Sequence, residues 1–237
     1  MLFCVKLGDA AGAAGAIRSL LGAESAVITF QNGIEAPDIV AAEIGGAHVF
    51  PGSANVAGAE VPEPGVVRHL GRYARFVFGE RDGRRSSRAV RIAEAFAAAG
   101  IDTHLSENIV TELWEKFVLL AAASGTIAAC RSPLGAVRDE PTLKAALHAA
   151  IIETAAVAKA TGIELSPTLV DDHMALLETF PADQKSSMLQ DLEAGRKLEL
   201  SWLSGSVCRL GRAAGIATPV HDTLLAVLKP FENGSPA

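Results

Sequence analysis

The stretch Ser25-Ala-Val-Ile-Thr-Phe-Gln-Asn-Gly33 decides how the first part of the chain folds. Its continuous run of apolar and β-branched residues indicates a strand that is buried on both faces, as in a parallel sheet. Gln31-Asn32-Gly33 then ends the strand with a turn signal. A shorter apolar run at residues 2–5 comes first, and residues 9–21 between the two runs have apolar positions at helical spacing. Strand, helix and strand in this order predict a βαβ unit with parallel strands.

The remainder of the first half predicts further elements of both kinds. Residues 34–44 have the pattern of a short helix, and residues 86–99 form an amphipathic helix that ends at Gly100, a C-cap residue. Two short apolar runs, residues 66–70 and 74–78, predict two strands that pair with each other in a hairpin or meander.

From Ser106 onward the apolar spacing is helical almost to the end of the chain. The predicted helices are a segment from Ser106 or Asn108 to about Ala123, residues 139–162, a segment from Ser166-Pro167, residues 188–194, residues 197–214 and a segment from Thr218-Pro219. This change of pattern predicts an α/β domain followed by an all-α domain, with the boundary near residues 101–106.

Composition excludes several classes of protein. The 237 residues are 49% hydrophobic, which is enough for a sizeable core and excludes a disordered chain. The net charge is −6 and no block of Lys and Arg occurs, so we expect no nucleic-acid partner. The longest apolar stretch, residues 117–130, is shorter than the roughly 20 residues of a membrane span, so we expect no membrane partner. Three widely separated cysteines are typical of a reducing cytoplasm.

Several residues are candidates for catalysis or for binding a ligand or metal, but each also has a simpler structural interpretation. Gly8 to Gly15 lacks the tight G-x-G turn of a dinucleotide fingerprint and is better explained as a small-residue helix face. The six histidines lack the spacing of metal ligands, so we expect no metal, and Asp171-Asp172-His173 is interpreted as a solvated helix face. Lys116 lies in an apolar segment, where a lowered pKa suits an acid catalyst, although a snorkelling lysine has the same pattern. Glu199 is a candidate first-turn carboxylate of a helix.

The combination of these motifs identifies a protein family far more specifically than any single residue does. The matching motifs are Lys6 and Gln31-Asn32-Gly33 after successive strands, Leu113-Trp-Glu-Lys116, Lys185-Ser-Ser-Met-Leu-Gln-Asp191, Glu199, Gly205 and Gly215-Ile-Ala-Thr-Pro219. In this order and spacing the chain resembles the ketopantoate reductase (2-dehydropantoate 2-reductase) family over nearly all of its length.

The resemblance implies a fold and an activity. Family members reduce a 2-oxo acid to a 2-hydroxy acid with NADPH, in a cleft between a Rossmann domain and a C-terminal helical domain like that of 6-phosphogluconate dehydrogenase. It implies that residues 1–104 form a partial, truncated Rossmann-like NADP-binding domain with a parallel sheet, and that residues 105–237 form the substrate and dimerisation domain. We therefore expect a cytoplasmic homodimer whose small-molecule partner is a 2-oxo acid.

The same resemblance implies roles for particular residues. Lys116 matches the general acid that protonates the carbonyl oxygen as hydride arrives. Asn32 and Lys6 match residues that face the nicotinamide half of the cofactor and the substrate. Ser187 would bind the substrate by a hydrogen bond, and Glu199 would lie at the junction of cofactor and substrate.

One departure from the family pattern concerns the substrate. Family members carry asparagines four and eight residues after the catalytic lysine and in the next loop. Leu120, Ser124 and Leu134 stand at these substrate-binding positions here. A pocket that lacks these amides favours a more apolar 2-oxo acid over ketopantoate.

A second departure concerns the cofactor. The family's Gly-rich phosphate loop lies on a strand upstream of every motif found here, which predicts that this chain lacks that loop. On this basis the chain is expected to be an incomplete form of a reductase that binds NADPH weakly. The alternatives are a naturally shortened, inactive member with a binding or assembly role and, least favoured, an unrelated helical interaction protein.

Overall fold

The structure is a computed structural model that describes residues 1–56, 59–69 and 74–234. The chain divides into two compact units, Met1–Leu113 and Trp114–Ala237. The first unit combines a sheet with helices, and the second is built of helices, as the sequence predicts.

A five-stranded sheet forms the centre of the first unit. The strands of the unit are β1 (Leu2–Phe3), β2 (Val27–Thr29), β3 (Val49–Val56), β4 (Ala59–Glu63), β5 (Val66–His69), β6 (Ala74–Phe78) and β7 (Thr103–Leu105). The order in the sheet is β1-β2-β3-β6-β7, and β4 and β5 form a separate two-stranded ribbon. β1, β2 and β3 are parallel, which confirms the predicted βαβ beginning.

The predicted pairing of residues 66–70 with residues 74–78 is wrong. β5 pairs antiparallel with β4, since the turn at Gly65 joins them directly. β6 pairs antiparallel with β3 and parallel with β7. These partners are distant in the sequence, so apolar patterning alone does not identify them.

β3 contains a proline and a glycine, which usually mark the end of a strand. A Cβ atom added at Gly52 would lie 2.9 Å from both the Phe30 ring and the Thr29 carbonyl oxygen. Glycine is therefore required here by the close approach of β2, and Pro51 still accepts a hydrogen bond from the Gly79 amide through its carbonyl.

Among the described residues of the first unit, three α-helices lie wholly within it. They are α1 (Ala10–Ile17), α2 (Ala36–Ile44) and α3 (Ser87–Ala98). Gly8 lies in the 3-10 turn Leu7–Asp9, and residues 10–15 lie in α1 with Ala10 and Ala14 buried, which agrees with the interpretation of this segment as a small-residue helix face. The Ser86 hydroxyl caps α3 by accepting from the Ala89 amide, and Gly100 follows α3 with a φ of +72°.

Through residue 234, where the described part of the chain ends, the second unit has seven helices, and the first of them begins just before the unit does. They are α4 (Ile109–Cys130), α5 (Leu134–Asp139), α6 (Pro141–Ala160), α7 (Leu169–Thr179), α8 (Ser187–Glu193), α9 (Ser204–Ala214) and α10 (Pro219–Leu228). α4 continues past Ala123 through Gly125, where an added Cβ would lie 2.9 Å from the Ser204 hydroxyl oxygen. Gly125 therefore allows close helix packing and does not end the helix. By length and composition α4 is also able to cross a membrane, but 61% of its most apolar window is buried.

A buried histidine ties three helices of the second unit together. His221 on α10 is fully buried, and its Nε2 lies 2.8 Å from the Thr154 hydroxyl and 3.1 Å from the Ala150 carbonyl oxygen on α6. Its Nδ1 lies 3.3 Å from the Ser204 hydroxyl on α9. Burial lowers the pKa of His221 to about 4, so the neutral ring donates through Nε2 and accepts through Nδ1.

We expect acid to destabilise the protein through His221. The unfolded chain binds a proton near pH 6.5 and the folded chain only near pH 4, so the free energy of unfolding falls by about 3 kcal/mol as the pH drops across this window. Urea unfolding at several pH values, for the wild type and for His221→Gln, measures this loss. The variant should show a flatter pH dependence between pH 6.5 and 4, and parallel curves would contradict the assignment.

Candidate functional site

Two predicted site residues lie at one edge of the sheet in the first unit. Phe3 on β1 pairs with Thr29 on β2, and the Phe30 amide donates to the Phe3 carbonyl at 3.1 Å. Lys6 and Asn32 each stand three residues beyond this pair, at the carboxyl ends of two neighbouring parallel strands. Ligands of open α/β sheets bind at such edges. Lys6 is exposed and Asn32 is half-buried.

Gln31, which the sequence analysis places in a turn and in a family motif without a role of its own, connects these two strand ends. Its side chain is 7% exposed, and its Nε2 donates to the carbonyls of Phe3 at 2.8 Å and Val5 at 3.1 Å. Its Oε1 is buried and has no hydrogen-bond partner among the described residues. A polar residue directly after a buried strand was the signal in the sequence, but its acceptors lie 26 and 28 residues away.

Lys116 lies in the first part of α4, at the beginning of the second unit. Its neighbours Trp114 and Phe117 are buried and meet edge to face, with ring centroids 5.5 Å apart. Desolvation in these surroundings lowers the pKa of Lys116 to about 8. A lysine with this pKa is charged at neutral pH and is also able to release its proton there.

The predicted substrate positions on α4 follow Lys116 at intervals of four residues. Leu120 and Ser124 therefore share a helix face with Lys116. Leu120 is half-buried, whereas Ser124 is only 1% exposed. The face thus runs from a half-buried lysine into the apolar interior of the helical unit.

Ser187 and Glu199 lie on separate elements of the second unit. Ser187 is the exposed first residue of α8, and Ser186 before it caps the helix by accepting from the Leu189 amide at 3.2 Å. Glu199 is half-buried and precedes the 3-10 turn Leu200–Trp202. The expected position of Glu199 in the first turn of an α-helix is wrong, since α9 begins only at Ser204.

His173 has a role that sequence reasoning missed. Asp171 and Asp172 are exposed, as predicted for a solvated face, but His173 is half-buried. Its Nε2 lies 2.9 Å from the Glu115 carbonyl oxygen on α4, one residue before Lys116. Burial lowers the pKa of His173, which favours a neutral ring that donates to this carbonyl. α7 is thereby fastened to the turn of α4 that carries Lys116.

The site residues are thus divided between the two units. Lys6, Gln31 and Asn32 lie at one sheet edge of the first unit, and Lys116, Leu120 and Ser124 line one face of α4 in the second. Within the described ranges 1–56, 59–69 and 74–234, no group of three or more His, Cys, Asp or Glu side chains is placed to hold a metal ion.

Comparison with known families gives two matches that together span most of the chain. The profile described as "Ketopantoate reductase PanE/ApbA" matches residues 1–83. The profile described as "Ketopantoate reductase PanE/ApbA C terminal" matches residues 108–232. A 2-dehydropantoate 2-reductase of Halobacterium salinarum is 31% identical over 230 residues, which cover 97% of this chain and 74% of the relative.

Solved structures agree with the sequence matches. A PanE/ApbA family ketopantoate reductase from Ralstonia eutropha superposes with a TM-score of 0.88 at 32% identity, covering 98% of this chain and 74% of the other. A 2-dehydropantoate 2-reductase from Methylococcus capsulatus superposes with a TM-score of 0.86 at 30% identity, covering 98% and 73%. The expected fold class, an α/β domain with a largely parallel sheet followed by a helical domain, is confirmed, and this chain belongs to the ketopantoate reductase family of oxidoreductases.

Proposed function

We propose that this protein reduces a 2-oxo acid to the 2-hydroxy acid with NADPH as the reductant. The observation that carries the proposal is Lys116, the lysine in the family motif, whose pKa burial lowers to about 8. A cation beside a carbonyl oxygen stabilises the alkoxide that develops there and then donates its proton to it.

The sheet edge of the first unit fits the nicotinamide half of a dinucleotide. Lys6 supplies a charge and Asn32 an amide at the carboxyl ends of neighbouring parallel strands, where such ligands bind. The unpartnered Oε1 of Gln31 is an acceptor at the same edge, and leaving it unpaired costs free energy. When bound, NADPH supplies the hydride for the carbonyl carbon.

The other proposed roles belong to residues of the second unit. The Ser187 hydroxyl donates a hydrogen bond to the substrate, and its exposure at the start of α8 leaves it available. Glu199 lies at the junction of cofactor and substrate. Lys116 holds the proton that the carbonyl oxygen receives, and Leu120 and Ser124 beside it form part of the substrate pocket.

We further propose that the substrate is a more apolar acid than ketopantoate. Leu120 follows Lys116 by one helical turn, and a leucine there cannot donate to a substrate hydroxyl. Ser124, one turn further, is buried and offers a single short hydroxyl. A substrate hydroxyl that loses its water and finds no partner weakens binding.

A matched pair of substrates tests both proposals. We expect the wild-type protein to turn over 3,3-dimethyl-2-oxobutanoate with a kcat/KM at least about tenfold above that for ketopantoate, which differs by one added hydroxyl. NADPH oxidation at 340 nm measures both rates, and Leu120→Asn should shift the ratio toward ketopantoate. Efficient ketopantoate turnover by the wild type would overturn the apolar preference, and no turnover of any 2-oxo acid would overturn the proposed reaction.

The remaining expectations concern assembly and location. We propose that the protein acts as a homodimer in the cytoplasm, with residues 1–104 serving the cofactor and residues 105–237 serving the substrate and dimerisation. The three cysteines are few and widely separated in the sequence, a pattern that supports a reducing compartment. Light scattering of the purified protein measures the oligomeric state.

A further inference from the structure

We propose that Gln31 is a positioning residue that holds the chain segment carrying Lys6 in register with Asn32. This inference rests on the proposed function, because Lys6 and Asn32 are the residues assigned there to the nicotinamide half of the cofactor. Gln31 itself is buried and acts through its contacts with the backbone.

The geometry is that of a side chain that extends a sheet ladder. A backbone hydrogen bond between the two strands runs from the Phe30 amide to the Phe3 carbonyl. Beyond it, the two N–H groups of the Gln31 amide donate to the carbonyls of Phe3 and Val5, at 2.8 and 3.1 Å. One side-chain amide thus donates to two carbonyls at the end of β1, those of Phe3 and Val5. Lys6 follows directly after Val5.

The chemistry of the contact requires an amide donor. Both acceptors are carbonyl oxygens, so only the orientation that presents Nε2 to them makes hydrogen bonds. A carboxylate of the same shape would place negative oxygens against both carbonyls in a buried position, which is strongly unfavourable. A protonated carboxylic acid would restore one of the two bonds, since it has a single O–H donor.

Gln31 also links the two proposed ligand contacts along the chain. It precedes Asn32 directly, so the residue that fixes the Lys6 segment is itself part of the turn that presents Asn32. We call the two hydrogen bonds from Gln31 to the Phe3 and Val5 carbonyls the clamp. Its loss should change the position of the Lys6 ammonium group relative to the Asn32 amide, so that both proposed contacts to the cofactor weaken together.

Two substitutions separate the donor function from the shape of the side chain. Gln31→Met keeps the length and lacks a donor, and Gln31→Glu keeps the shape and donates only when protonated. In the Gln31→Met variant, we expect the backbone amide hydrogens of residues 2–6 to exchange faster with D₂O than in the wild type. We also expect kcat/KM for NADPH to be at least about tenfold lower at every pH. We expect the Gln31→Glu defect to shrink as the pH falls from 8 to 5.5. The exposed Gln184→Met is the matched control and should behave as wild type in both measurements.

The two readouts keep this proposal distinct from the proposed reaction. Unchanged exchange at residues 2–6 in both variants would overturn the clamp, whatever the activity. Faster exchange with unchanged kcat/KM and KM for NADPH in Gln31→Met would reduce Gln31 to a structural role and also overturn it. A wild type without 2-oxo acid reduction would overturn the reaction, while hydrogen exchange would still decide whether Gln31 holds the segment.

Discussion

Replacement of Lys116 by alanine is expected to lower kcat/KM for 2-oxo acid reduction by about a thousandfold. General acid catalysis contributes roughly 10²–10⁴-fold, and this lysine also supplies the charge that stabilises the alkoxide. Lys116→Met tests the same loss with a side chain of similar length that fills the half-buried space. Steady-state kinetics with saturating NADPH measure the effect, and thermal unfolding verifies that both variants fold.

The pH dependence of kcat/KM for the wild type is a second, independent test of Lys116 as the acid. The acid must be protonated to act, and burial lowers the pKa of Lys116 to about 8. We therefore expect kcat/KM to be highest below about pH 8 and to fall above it. An ordinary lysine would keep its proton to about pH 10.4, so the position of this decline reports the desolvation of the group.

A surface lysine provides the control for both measurements. Lys159 on α6 is exposed, so Lys159→Ala should retain wild-type kinetics and the same pH profile. A loss of less than about tenfold in Lys116→Ala, or an unchanged decline with pH in Lys116→Met, would contradict the assignment of Lys116 as the acid.

Much of the fold is predictable because helix caps and apolar strand patterns depend on short, continuous stretches of sequence. Ser86 and Gly100 mark the two ends of α3, and the apolar runs before and after α1 form parallel strands. Gly125 and Gly52 show where such local reasoning fails. Each glycine resembles a break, yet each is required by a neighbour that approaches from a distant part of the chain.

The candidate site was predictable in part for the same reason. Lys116 and Asn32 were found through motifs, which carry the residue type and its place on a helix or after a strand. Gln31 and His173 were missed because their acceptors, carbonyls of Val5 and Glu115, are backbone groups that every residue possesses. A residue that acts through backbone carbonyls leaves no partner side chain to recognise in the sequence.

A buried ion pair in the first unit is expected to contribute strongly to stability. The Glu80 side chain is 7% exposed and the Arg88 side chain 17%, and Arg88 Nη2 lies 3.4 Å from both carboxylate oxygens. Ser86, the cap of α3, donates to Glu80 Oε1 at 2.6 Å. The guanidinium also lies over the Phe50 ring, 4.6 Å from its centroid. The pair thus joins the start of α3 to the core aromatic residues of the sheet.

We expect Arg88→Met to lower the free energy of unfolding by about 3 kcal/mol, because it leaves the Glu80 carboxylate buried without its cation. The methionine keeps an apolar side chain against Phe50, so lost charge and not lost packing dominates. Glu80→Gln combined with Arg88→Met should recover most of the loss, since it removes the uncompensated charge as well. The exposed pair Arg81–Asp38 has an N–O distance of 2.6 Å, which is shorter than the 3.4 Å of the Arg88–Glu80 pair. Arg81→Met should nevertheless lower the free energy of unfolding by less than about 1 kcal/mol. Urea unfolding measures all four proteins, and equal losses in the two single arginine variants would contradict the role of burial.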